Sequence, residues 1–435
     1  MTARRAAVLV LLLASPPVSA QPVNLAEAPR PGDAARYTLD LKLTGQLVLT
    51  ENGAKQAVRL DATARHKFAE TTLAVAENLP ARSARFYDEA TAGATVGGDK
   101  SDRTLPADRK LVVAHRNPDG VFGYCPAGPV TREELDLVTE HFDPHCLAGL
   151  LPGKMVNVGD TWPIADPAAQ AAGLFDGLTT NALQGKLLAV ENGKATFAVT
   201  GALEGVENGA KVTLTVDATG TFDVSAGRIT DLTWKQSDDR AAGPVTPAAK
   251  VEATITLRRE FGAMLPAGLS AEALAAIPAT PPTTAGRLRQ PGPKGDYELV
   301  HPRDWHVTGM TDTHVVLRLL DAGGFVAQAT VSPWAKAAAG QHTPADEFKK
   351  AASAAPGWVP TRVVEEAEVP AAAGHWVYRF AAEGKSQDVP VLRVAHLVAG
   401  PRGDQVVVTV VAPADRARLL TGRDAALATG IAFGW

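Results

Sequence analysis

The chain has 435 residues, 46% hydrophobic and 21% charged, with a formal net charge of −4. Such a composition excludes a disordered or fibrous chain and is long enough to bury two cores. The mildly acidic balance leaves little with which to grip phosphates, so nucleic acid is not expected as a partner.

At the N-terminus, Arg4 and Arg5 precede an apolar run at 6–14, and Val18-Ser19-Ala20 places small residues where a signal peptidase cuts. The pattern predicts a signal peptide at 1–20, an N-terminal tail at 21–32, and a mature chain exported to the periplasm or the cell exterior. No later apolar run approaches the roughly 20 residues of a membrane helix, so no transmembrane anchor is expected. Cys125 and Cys146 are the only cysteines. In an exported chain they are expected to form one disulfide, which closes a loop of about 22 residues and stabilises by roughly 3 kcal/mol.

Residues 33–262 read as a β-rich domain. Between 37 and 50, Leu39, Leu41, Leu43, Leu47 and Leu49 alternate with polar residues, the period of a long antiparallel strand with one wet face. Asn52-Gly53 predicts a tight hairpin turn, and the same chemistry recurs at Asn192-Gly193 and Asn208-Gly209. The sequence ENGAK occurs at 51–55 and 207–211 with Asp-Ala-Thr at the same later offset, either an internal duplication or convergence on one turn. Between these halves, Thr131 and Glu134 form a capping box that opens a helix over 131–142. The expected fold is a curved antiparallel sheet or partly open barrel with this helical insertion against its concave face. His66 is expected to face inward as a core histidine.

Residues 263–295 are rich in Pro, Ala and Gly and read as a linker, with a short helix after Ser270. Residues 296–435 read as strand pair, helix from 344 to 355, four more strands, and a closing helix over 413–430. The order is an α+β sandwich, and the whole chain is expected to be multidomain α+β.

Two resemblances follow from these residues. The Gly159-Asp160-Thr161-Trp162 element, after a helical insertion and before the strand at Gly227-Arg228-Ile229, resembles a family of exported, uncharacterised bacterial β-rich proteins. The opening His301-Pro302-Arg303-Asp304-Trp305, the strand AQATVSP at 327–333 and the ending Ile431-Ala432-Phe433 resemble the PsbP/Mog1/DcrB-like fold. The latter resemblance implies a module that binds or assembles with other proteins and brings no common catalytic set.

Three function classes remain. The first is a non-catalytic binding or accessory protein of the cell envelope with an unknown protein partner. The second is a carrier of an apolar, lipid-like small molecule, held by Leu39, Leu41, Leu43, Leu60, Phe197 and Val199 on the inner sheet face. These residues could instead pack on the helix as a closed core. The third is a metal site at His141, Asp143 and His145, whose side chains are zinc ligands by type, although Pro144 separates them from one helix face. His301, Arg303, Asp304 and His306 could form a binding edge, or a strand end with Trp305 in the core. The chain lacks the nucleophile-elbow and zinc-protease motifs, and no cofactor is expected.

Overall fold

The computed structural model describes residues 21–51, 54–77, 79–117, 120–139, 142–372 and 374–434. The expected signal peptide, the Asn52-Gly53 turn and His141 lie outside the described residues.

The N-terminal part begins with β1 (Val23–Leu25), β2 (Ala34–Glu51), β3 (Ala54–Ala76), β4 (Leu79–Val96), β5 (Asp99–Thr104), β6 (Leu111–Asn117) and β7 (Gly120–Tyr124). Next come helix α1 (Arg132–Thr139), a 3-10 segment at Pro144–Leu150, β8 (Lys154–Val156), β9 (Thr161–Pro163) and helix α2 (Asp166–Gly173). It closes with β10 (Gly177–Asn181), β11 (Gln184–Glu191), β12 (Lys194–Glu207), β13 (Ala210–Asp223), β14 (Arg228–Arg240) and β15 (Ala248–Phe261). One 13-stranded sheet runs β7-β6-β4-β3-β2-β15-β14-β13-β12-β11-β9, with β5 on β4 and β10 on β12. Its pairings are antiparallel throughout.

Local chemistry explains the joints. Asn192 and Asn208 sit at φ 51° and 48°, and Gly193 and Gly209 at 74° and 78°, the left-handed pair that a two-residue hairpin requires. The two ENGAK hairpins occupy one sheet, on either side of β14 and β15. At α1, Thr131 Oγ1 accepts from the Glu134 amide at 3.1 Å, and Glu134 Oε2 accepts from the Thr131 amide at 2.9 Å. The capping box therefore forms, the described part of the helix is Arg132–Thr139, and Phe142 lies outside any helix. The inner sheet face, including Leu39, Phe197, Val199 and Trp234, packs with Leu137 and Val138 of α1, the Pro144–Leu150 segment and the alanines of α2 in one core.

In the 263–295 stretch, Ser270 Oγ caps α3 (Ala271–Ala275) by accepting from the Ala273 amide at 3.3 Å. Leu269, Ile277 and Ala285 pack against Ala69, Ala84 and Val113 on the outer sheet face. Strand β16 (Arg287–Pro291) then pairs with β17 (Tyr297–Pro302). Pro291 fits because β16 is an edge strand.

The C-terminal part continues with β18 (Trp305–Met310), β19 (Val315–Asp321), β20 (Gly324–Trp334), α4 (Ala345–Ser353), β21 (Trp358–Glu368) and β22 (Trp376–Ser386). It finishes with β23 (Val389–Ala399), β24 (Gln405–Pro413), α5 (Arg423–Ala428) and β25 (Ile431–Phe433). A seven-stranded sheet runs β18-β19-β20-β24-β23-β22-β21, beside the three-stranded sheet β16-β17-β25. The valine run of β24 lies between β20 and β23 and is buried almost throughout, as expected for a covered central strand.

Several expectations are corrected. The chain is not a balanced α+β protein but mostly β, 58% strand and 14% helical. The closing helix over 413–430 shrinks to α5, because Thr421 and Gly422 take positive φ of 41° and 80° and interrupt the turn. Among the described residues no sheet is closed, and the large sheet, expected as a curved sheet or partly open barrel, is open with ends at β7 and β9. The expected disulfide is absent, since Cys125 and Cys146 are both free and buried. They belong to different clusters, Cys125 with Val130, Leu135 and Leu288, and Cys146 in the main core. Burial pushes the Cys146 thiol well above its ordinary range, which keeps it protonated.

Candidate functional site

The inner face of β2, β3 and β15 continues past the region that the helices cover. There Leu41, Leu43, Leu47 and Leu60 are only partly buried and line a cleft of about 680 Å³. The register aligns this floor: Leu43 opposes Ala62 on β3 and Ala253 on β15, and Leu41 opposes Ile255. Leu135 and Val138 of α1 form part of one wall, and Ala171 to Phe175, at and just beyond the end of α2, part of another. The C-terminal part completes the lining with Arg303, Asp304, His306, Leu320 and Gly323.

The two parts meet through specific contacts beside the cleft. Arg289 Nη2 lies 2.8 Å from Glu134 Oε1, and Val130 bridges Leu288. Arg318 Nη1 donates to the Pro244 carbonyl at 2.6 Å. Arg303 Nη2 donates to the Gly123 carbonyl at 2.7 Å, and its guanidinium carbon sits 4.2 Å from the centre of the Phe122 ring. A Cβ on Gly209 would lie 2.1 Å from the Gly323 carbonyl oxygen, so glycine is what permits that approach.

The predicted carrier residues divide. Leu41, Leu43 and Leu60 line the cleft, whereas Leu39, Phe197 and Val199 are fully buried in the core beneath the helices. Of the metal candidates, Asp143 and His145 are buried in a polar network. Arg85 Nε lies 2.6 Å from Glu70 Oε2 and its Nη2 lies 3.4 Å from Asp143 Oδ1. Arg116 Nη2 approaches Asp143 Oδ2 at 3.7 Å, and His145 Nε2 meets Ser83 Oγ at 2.9 Å. Burial raises the Asp143 carboxyl, but His145 and the two arginines outweigh it and hold the group below its ordinary range. Burial also lowers His145, so at neutral pH the imidazole is uncharged, and the arginines act together with the His145 backbone amide, which donates to Asp143 Oδ1 at 3.0 Å. Among the described residues, no three His, Cys, Asp or Glu side chains are placed to hold a metal ion. His66 faces the core edge-on to Tyr87, its ring centroid 6.4 Å away, and burial lowers it to about 4.

Trp305 is fully buried, as a strand-end reading requires, while its neighbours Arg303, Asp304 and His306 reach the cleft. Sequence reasoning missed Arg132 and the polar run Gln236, Asp238 and Arg240. The signal was readable. Inward positions on β14 pass from Leu232 and Trp234 to Gln236, Asp238 and Arg240 at the same parity, so the face turns polar at the cleft. Trp234 Nε1 donates to Gln236 Oε1 at 2.7 Å, Gln236 Nε2 donates to Asp238 Oδ2 at 3.1 Å, and Arg240 Nη1 pairs with Glu207 Oε2 at 3.3 Å.

Asp238 yields a pH prediction. Burial raises its carboxyl to about 6; Glu207 and Glu252 add to this, while the Gln236 bond and Arg240 oppose it. Because the folded value exceeds the unfolded one, the native state binds the proton more tightly, and stability falls as pH rises from about 4 to 6. Asp238→Asn is expected to flatten that slope and raise stability at pH 7 by on the order of 1 kcal/mol. Urea unfolding of both proteins at pH 4.5 and 7 checks it, and an unchanged pH slope would refute the assignment.

No family model and no curated protein matches the chain. The resemblance drawn from Gly159-Asp160-Thr161-Trp162 therefore gains no support; Trp162 is a core residue whose Nε1 donates to the Leu150 carbonyl at 3.0 Å. Among solved structures, that of lipovitellin, which concerns lipid–protein interactions, overlaps 56% of this chain at 11% identity and TM-score 0.32. The chain spans only 26% of that protein's length. The cyanobacterial PsbP of Synechocystis sp. PCC 6803 overlaps 37% of this chain and 99% of its own at 15% identity and TM-score 0.24. OmpF of Salmonella typhi in complex with daunomycin overlaps 88% of this chain and 97% of its own at 11% identity and TM-score 0.13. None of these overlaps is close enough to establish a fold. No helix among the described residues is long and apolar enough to cross a membrane.

Proposed function

We propose that the protein is a non-catalytic binder of an apolar chain, which lies in the cleft along Leu41, Leu43, Leu47 and Leu60. The observation that carries this reading is the partly buried leucine face, which the helices leave uncovered beside about 680 Å³ of space. That volume falls in the range of about 300–1,000 Å³ typical of small-ligand sites. An uncovered apolar face costs free energy in water, and an apolar chain laid on it recovers that cost. Export to the cell envelope, expected from the N-terminal pattern, belongs to the same proposal and is checked by the mass of the mature N-terminus.

Calorimetric titration of the mature chain with octanol and decanol tests the binding. Each buried methylene contributes about 0.8 kcal/mol, so decanol is expected to bind roughly fifteenfold more tightly than octanol. Absent binding, or equal affinity for both chains, would overturn the reading.

A further inference from the structure

The cleft is not uniformly apolar, and its charges are not uniformly neutralised. Arg85 pairs with Glu70, and Arg240 with Glu207. Asp143 pairs with Arg85, and Asp304 lies 3.4 Å from Arg423 Nε. Arg132 and Arg303 differ. Both line the cleft, and among the described residues neither has a carboxylate within 4 Å. Their guanidinium hydrogen bonds go to carbonyls, Arg303 to Gly123 at 2.7 Å and Arg132 to Arg303 at 3.4 Å, and Arg303 Nε is buried without an acceptor. His306 lines the cleft beside them.

Two adjacent guanidinium groups beside an apolar surface repel each other, and each carries unused donors arranged for a planar or tetrahedral anion. Burial, and after it the charge of Arg132, lower the Arg303 guanidinium to about 10. The Gln236–Asp238 end offers no such reception, because its groups are bonded to one another and Asp238 is acidic.

We propose that the ligand is an amphiphile with an anionic head, a carboxylate or a phosphate monoester, which Arg132 and Arg303 hold while its chain lies on the leucine floor. This inference rests on the apolar-chain reading above. It fixes the ligand's orientation, head toward α1 and the start of β18, tail along β2 and β3.

Titrations of the mature chain with decanoate, decyl phosphate, decanol and inorganic phosphate separate the two readings. The anionic decyl compounds are expected to bind about tenfold more tightly than decanol, the size of one charge-assisted contact. Arg303→Gln and Arg132→Gln should each remove about tenfold from the anions while leaving decanol unchanged, and Arg303→Lys should retain part of the preference. Because Arg303 also stacks on Phe122, unchanged decanol affinity shows that the variant is folded and its cleft intact. Equal affinity for decanoate and decanol in the parent, or a preference untouched by both glutamine variants, would overturn the anionic head and leave the apolar chain standing. Inorganic phosphate binding as tightly as decyl phosphate would mean a free-anion site and would also overturn the proposal. Failure of every decyl compound to bind would remove both readings.

Discussion

Arg85→Met is expected to lower the unfolding free energy by about 3–5 kcal/mol, the cost of stripping the counter-charge from buried acids. Its side chain is only 3% exposed and stands between Glu70 and Asp143, each 6% exposed. Methionine fills most of the volume, so the loss is electrostatic rather than a cavity effect. Among the described residues Glu70 would retain the Tyr37 hydroxyl at 3.3 Å, the uncharged His145 nearby and the more distant charge of Arg259. Urea unfolding at pH 7 measures the loss. The double variant Glu70→Gln/Arg85→Met should lose less than the sum of the two single variants, because the two residues share one interaction. A loss below about 1 kcal/mol in Arg85→Met would mean that water reaches the network and screens it. The same network sets an acid limit. Asp143 is held below its ordinary range, so its contribution is complete above about pH 4 and is lost as pH falls below that.

Leu43→Trp is expected to weaken binding of an apolar chain by about 100-fold while changing stability little. Leu43 is only partly buried and points into the cleft, so an indole there occupies space rather than displacing core. It would exclude about four methylenes, or roughly 3 kcal/mol of transfer free energy. Phe197→Ala is the contrasting change. Phe197 is fully buried and lies against Gly220, where an added Cβ would approach its ring to 2.3 Å. Its removal should cost about 3–5 kcal/mol of stability. A Leu43→Trp protein that binds the chain unchanged would place the ligand elsewhere.

Much of the strand pattern was legible because it depends on neighbours in sequence. The alternation over 37–50 specifies a one-sided strand wherever it is placed, and the Thr131–Glu134 capping box and Asn-Gly turns depend on a few adjacent residues. The closing helix was misread for a related reason. Alanine, leucine and arginine over 413–430 favour helix, but the left-handed turn at Thr421 and Gly422 is a tertiary choice. The cysteines show the limit most clearly. Compartment suggests a bond, while pairing depends on which cores the two residues enter, and they enter different ones. The cleft was half legible. Leu41, Leu43 and Leu60 were identifiable from parity, but so were Leu39, Phe197 and Val199, and only packing decides which length of the face the helices cover. Arg132 and Arg303 lie far apart in sequence and meet only where the two parts of the chain dock.

The most direct test is a crystal structure of the mature chain grown with an alkanoate carrying bromine at its far end, with the bromine located by its anomalous signal. A single bromine peak against Leu41, Leu43 or Leu60, with the carboxylate toward Arg303, is the predicted result. An empty cleft in crystals saturated with the compound, or bromine only on the outer surface, would contradict the account.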